Sequence, residues 1–128
     1  MATIKRFEEL ECWQEARKLV GVIYALTKKS GFKNDFELRN QVVRSATSVM
    51  ANIAEGFHRS SRKDFLKFLD YSRSSIAETL SHCYISLDQQ YISDSEMQAV
   101  NDQTLLVWKK INAFIAYLDG CETGNKNK

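Results

Sequence analysis

Proline is absent from this 128-residue chain, and glycine occurs only five times. Sandwiches and barrels of β-strands spend both residues on their many turns, so the two shortages argue for helices joined by short connections. Long apolar runs are missing too: none approaches the roughly 18 residues that would suggest a membrane span. Met1 to Arg6 carries charge without an apolar stretch behind it and does not read as a secretory signal. Cysteine is sparse, with Cys12, Cys83 and Cys121 odd in number and far apart, and there is no C-x-x-C pair. That usage points to a reducing compartment rather than to a disulfide framework or a zinc site. The expectation is a soluble, cytoplasmic protein with no membrane partner, no cofactor and no metal.

Apolar residues make up 44% of the chain and charged residues 27%. A single domain over residues 1–128 is long enough to bury a core without staples, and the class expected is all-α. Net charge is only +2, but it is unevenly placed. Residues 1–75 hold 14 Lys or Arg against 9 Asp or Glu, whereas residues 76–125 hold 2 against 7. A chain so divided suits a polyanion, or contact between copies of itself, as well as ordinary solvated faces.

Hydrophobic spacing predicts four long helices, at about 8–29, 35–57, 62–90 and 94–119, with a frayed tail at 123–128. Leu10, Trp13, Ala16, Val20, Ile23 and Leu26 recur at helical steps in the first, which Lys28, Lys29 and Gly31 suit as an ending. Asn34 with Glu37, and Ser93 with Glu96, read as capping boxes, and Ser60 or Ser61 as the cap of the third helix. Phe65, Leu69, Ile76, Leu80, Cys83 and Leu87 mark the buried side of that third helix. Ser72 interrupts the row where a polar stripe of the second helix faces it. Met97, Val100, Thr104, Val107, Ile111, Phe114 and Leu118 keep a heptad spacing in the fourth. Turns too short to cross over imply an antiparallel up-down-up-down four-helix bundle.

The second helix carries two faces. Val42, Ala46, Val49 and Ile53 form an apolar row, and Gln41, Ser45, Ser48, Asn52, Glu55 and Arg59 form a polar row beside it. A plain amphipathic helix has no need of so regular a polar row. One explanation is a structural polar network of Gln41, Ser48, Asn52 and Glu55, joined by Glu78 and packed closely through small residues. On the fourth helix Leu105, Trp108 and Ile115 add an apolar edge beyond the core row, as Val22 and Tyr24 do on the first. Such an edge marks a subunit interface.

Phe7, Leu10 and Trp13, then Gln41-x-x-Arg44-Ser45, Asn52-Ile53-Ala54-Glu55-Gly56 and Arg59-x-Ser61, then Phe65, Phe68-Leu69, Ser75 and Glu78 form a recognisable series. With them the chain resembles the four-helix-bundle family encoded in intervening sequences of bacterial 23S ribosomal RNA genes. Met50 and Gly31-Phe32-Lys33 stand where members often carry proline, a departure that leaves the fold expectation intact because Met suits a helix interior. The resemblance implies a homopentamer of antiparallel bundles without enzymatic chemistry and with a link to RNA.

For function, Arg39, Arg44, Arg59, Arg62, Lys63, Lys67 and Arg73 gather on the second helix, the following turn and the start of the third. They are the candidate RNA-binding residues. Tyr71 is placed to stack on a base or to pack. The alternative is a protein-interaction scaffold using the apolar edge of the fourth helix. Enzyme readings find little support. Glu55-Gly-Phe-His58 is a single Glu-x-x-His where di-metal bundles use two, and Glu78 is followed by His82 one step too late for a second. No nucleophile elbow, phosphate loop or zinc-type cysteine pair occurs.

Overall fold

The computed structural model describes the backbone of residues 3–126 and the side chains as far as Gly120. A 3-10 turn at Phe7–Glu9 precedes five α-helices: α1 (Glu11–Thr27), α2 (Ser30–Asn34), α3 (Phe36–Phe57), α4 (Arg62–Asp88) and α5 (Asp94–Lys126). Four of them are long, and the described residues contain no strand. The chain is all-α.

Each long helix packs against two others: α3 on α1 and α4, and α5 on α1 and α4. Polar contacts tie the ends together. Lys29, just beyond α1, pairs at 2.6 Å with Glu96 in the first turn of α5, and Lys110 midway along α5 reaches Glu11 at the start of α1 at 3.2 Å. Arg62 at the start of α4 pairs with Asp119 late in α5 at 2.7 Å. Between the four helices lies one apolar core. The expected rows Val42, Ala46, Val49 and Ile53 of α3, and Met97, Val100, Thr104, Val107 and Ile111 of α5, are all buried. In α1 the row is shifted: Cys12 and Leu19 are buried, while Trp13 and Val20 are only half-buried.

The connections differ from the sequence expectation in two places. The first helix stops at Thr27, and the turn after it contains the five-residue α2, held because Phe32 is buried and its ring stacks on Tyr91 at 5.7 Å. Since α2 takes Asn34 as its last residue, the cap of α3 is Asp35, whose carboxylate accepts from the Leu38 amide at 3.2 Å and from the Tyr91 hydroxyl at 3.0 Å. At the far end, α5 is assigned as far as Lys126, and residues 127 and 128 of the expected tail lie outside the described residues.

Two caps follow the sequence pattern. Ser61 accepts from the Asp64 amide at 3.1 Å, and Ser93 and Glu96 exchange hydrogen bonds at 2.8 and 3.1 Å as a capping box. Helix α4 closes with Gln90 in a left-handed conformation, φ 62°. The amides of Gln90 and Tyr91 bond back to the carbonyls of Leu87 and Ser86, the pattern of a Schellman motif.

Gly56 sits inside α3 and does not break it. A methyl group there would meet both the Phe65 ring and the Phe68 Cβ at 2.8 Å, so glycine is what lets α4 approach. Chain reversal is left to residues 58–61.

Candidate functional site

Helices α3 and α4 meet through hydroxyl groups. Thr79 Oγ1 lies 3.0 Å from Ser45 Oγ and 2.8 Å from the Ser75 carbonyl, Ser75 Oγ donates to Ser48 Oγ at 3.0 Å, and Ser72 Oγ donates to the Val49 carbonyl at 2.6 Å. Asn52 Nδ2 donates to both the carbonyl and the hydroxyl of Ser48, each at 2.9 Å. This seam differs from the network expected of Gln41, Ser48, Asn52, Glu55 and Glu78, of which only Ser48 and Asn52 take part. Glu55 is exposed and pairs with Arg59 at 2.8 Å. Gln41 and Glu78 are exposed, and their side chains make no hydrogen bond among the described residues. Small side chains explain the difference, because a close helix pair has room for hydroxyls but not for a carboxylate with its water. The missed signal is Ser72, Ser75, Thr79, Cys83 and Ser86, a row of small residues at helical steps on α4.

Above the seam the two helices leave a groove of about 400 Å³, walled by Gln41 and Arg44 on α3 and by Glu78 and His82 on α4, with Ser48 and Ser75 in its floor. The Nδ1 atom of His82 is sequestered without a hydrogen-bond partner. Toward the α3–α4 turn the same face carries exposed Tyr71, whose ring meets Phe68 edge-on at 5.5 Å. The Arg59 guanidinium lies over that Phe68 ring at 4.5 Å.

The seven candidate cations do not gather into one patch. Arg44, Lys63 and Lys67 are exposed and free of protein partners among the described residues, and Arg59 divides itself between Glu55 and Phe68. Arg62 and Arg73 are turned toward α5, Arg62 to Asp119 and Arg73 to Asn112 at 2.9 Å, to Asp70 at 2.8 Å and over the Trp108 ring at 5.6 Å. Arg39 donates to the Lys33 carbonyl at 3.2 Å and covers the Phe36 ring.

On α5, Leu105 and Trp108 are exposed together with Leu106, while Ile115 is half-buried against the core. Cys12 and Cys83 are buried, and burial pushes both thiols up to about 12, so neither presents a thiolate at neutral pH. His58 is exposed and touches the Phe7 and Phe57 rings edge-on. Among the described residues no group of three His, Cys, Asp or Glu converges as metal ligands would. No helix among them is long and apolar enough to cross a membrane.

The chain is similar to known proteins in sequence and in shape. A family model described as 23S rRNA-intervening sequence protein matches residues 8–113. A crystal structure of a protein with unknown function from the S23 ribosomal protein family of Bacteroides thetaiotaomicron superposes with a TM-score of 0.75 at 24% identity, covering 81% of this chain and 97% of the other. At that identity the likeness speaks for the fold. No curated protein matches the chain.

Proposed function

This chain belongs to the 23S rRNA-intervening sequence protein family, and from that premise we propose that it is a non-enzymatic, self-associating RNA-binding protein of the bacterial cytoplasm. Its four long helices are read as an antiparallel up-down-up-down bundle, supported by the pairing of Lys29 with Glu96 and of Arg62 with Asp119, each of which joins opposite ends of two helices.

The observation that carries the RNA reading is the α3–α4 face, where Arg44, Lys63 and Lys67 keep their charges unspent and Arg59 and Tyr71 are exposed beside them. Phosphate contacts draw on such cations, and an exposed aromatic ring among them suits a splayed base. Arg62 and Arg73 act on this reading as intramolecular ties to α5. The test is fluorescence anisotropy of nuclease-treated protein against single-stranded and structured RNA over a range of salt. The expected result is a log–log salt slope of about −0.7 for each phosphate contacted on single strands. Replacing Arg44, Lys63 and Lys67 together by Ala should weaken binding at least about tenfold with the helical content unchanged. Equal binding by wild type and triple variant removes this face from the reading.

Self-association is assigned to the α5 edge, where exposed Leu105 and Trp108, three residues apart, form an apolar strip and Arg73 lies over the indole. The family resemblance suggests five subunits. Trp108→Ala should dissociate the assembly in sedimentation velocity; an intact oligomer that has lost a protein partner would instead favour the scaffold reading.

A further inference from the structure

The α3–α4 groove has hydrogen-bonding capacity that the protein itself does not use. Ser48 Oγ accepts from Asn52 Nδ2 and from Ser75 Oγ, which fills its lone pairs and leaves its own proton to donate. Arg44 and Gln41 add a guanidinium fork and an amide on the same wall, neither of them paired among the described residues. Donors gathered around a cation select an anion, and the fork fits phosphate. The facing wall is opposite in kind. Glu78 is an unpaired, exposed carboxylate that only accepts, so it selects a donor such as a hydroxyl, and next to it the sequestered Nδ1 of His82 has no partner.

A phosphate and a hydroxyl bound by facing walls of one groove are the pattern of a ribose phosphate. We propose that this groove binds one ribonucleotide unit of an RNA strand, its phosphate toward Arg44 and Ser48 and its 2′-hydroxyl toward Glu78, and that it thereby distinguishes RNA from DNA. The inference rests on the RNA reading above and adds to it a substrate class and the residue that selects it. The groove and the Lys63–Lys67 end share one face of the helix pair. From Arg44 to the end of α3 at Phe57 is about 20 Å at 1.5 Å per residue, so a strand that lies along the face reaches from the groove to the turn that carries Arg59.

The experiment compares RNA and DNA single strands of one sequence on the full chain, with Glu78→Ala, Glu78→Gln and Arg44→Ala variants and with adenosine 5′-monophosphate as a separate probe. Wild type is expected to prefer RNA on the order of tenfold, the effect of one hydrogen bond to a charged group. Glu78→Ala should bring that preference to within about twofold while DNA binding holds or rises, because a carboxylate beside phosphates has been removed. Glu78→Gln keeps an acceptor oxygen and should retain part of the preference, and Arg44→Ala should weaken both polymers. RNA bound with no preference over DNA, or with a preference that Glu78→Ala leaves unchanged, overturns the inference and leaves the RNA reading standing. Binding of neither polymer overturns both. Saturable binding of the mononucleotide alone, lost in Arg44→Ala, keeps the chemistry of the groove for a free ribonucleotide and overturns the strand as its source.

Discussion

Ser75 Oγ donates to Ser48 Oγ across 3.0 Å, and through this pair of hydroxyls α3 and α4 touch in the floor of the groove. Ser72, one turn away, is fully buried and donates to the Val49 carbonyl. Ser72→Ala should therefore cost about 0.5–1.5 kcal/mol, the usual net worth of one such bond. Ser75→Leu should cost more, because a side chain forced between close helices adds overpacking of about 1–3 kcal/mol to the lost bond. Urea unfolding followed by circular dichroism checks the order; a Ser75→Leu variant as stable as Ser72→Ala would mean that the helices are free to move apart.

Two glycines should respond with opposite sign to the same substitution. A methyl group at Gly56 meets the Phe65 ring and the Phe68 Cβ at 2.8 Å, and while the ring can swing aside, the Cβ moves only with the α4 backbone. At Gly21 an added methyl meets nothing within 4 Å. Gly21→Ala should then raise stability by up to about 1 kcal/mol through helix propensity, whereas Gly56→Ala should lower it despite the same propensity gain. Thermal melts of the two variants make the comparison.

Gln90 holds φ at 62° to close the Schellman motif at the end of α4. A side chain costs roughly 1 kcal/mol in that region, so Gln90→Gly should stabilise the chain by a similar amount, against the usual expectation for a residue beside a helix. A melting temperature that falls would show that the glutamine side chain contributes more than its backbone costs.

Cys12 and Cys83 are buried, with their thiols pushed up to about 12 by desolvation. Both should resist iodoacetamide at pH 8 in the folded protein and react once urea unfolds it. Peptide mass spectrometry separates the two sites, and fast labelling of either in the native state would contradict its burial.

Acid should loosen the contact between α1 and α5. Hydrogen bonding from Lys29, followed by that from the Ser93 amide, holds the Glu96 carboxyl below its usual 4.5. A carboxyl with a lowered folded value stabilises the fold above that unfolded value and loses the contribution as pH falls through the folded one. Stability should therefore drop more steeply below pH 4.5 in wild type than in Glu96→Gln. Parallel acid titrations would assign the steepness elsewhere.

Helical class, the core rows of α3 and α5, and the Ser93–Glu96 cap were determined by the sequence alone, because each depends on residues three or four apart on one helix, while the α4 cap was narrowed to Ser60 or Ser61 and the structure uses Ser61. The cap at Asp35 and the helix α2 were not legible, since they depend on Phe32 meeting Tyr91, nearly sixty residues away. The candidate site divides along the same line. A polar row on α3 was visible, but which members face α4 closely enough to exchange hydroxyl bonds depended on the small row Ser72, Ser75 and Thr79 coming opposite it. Likewise the seven cations all fall between residues 39 and 73, yet Arg62 and Arg73 face α5 while Arg44, Lys63 and Lys67 face outward. Spacing along one helix fixes which side chains share a face; only the packing of a second helix decides whether that face is seam, groove or open surface.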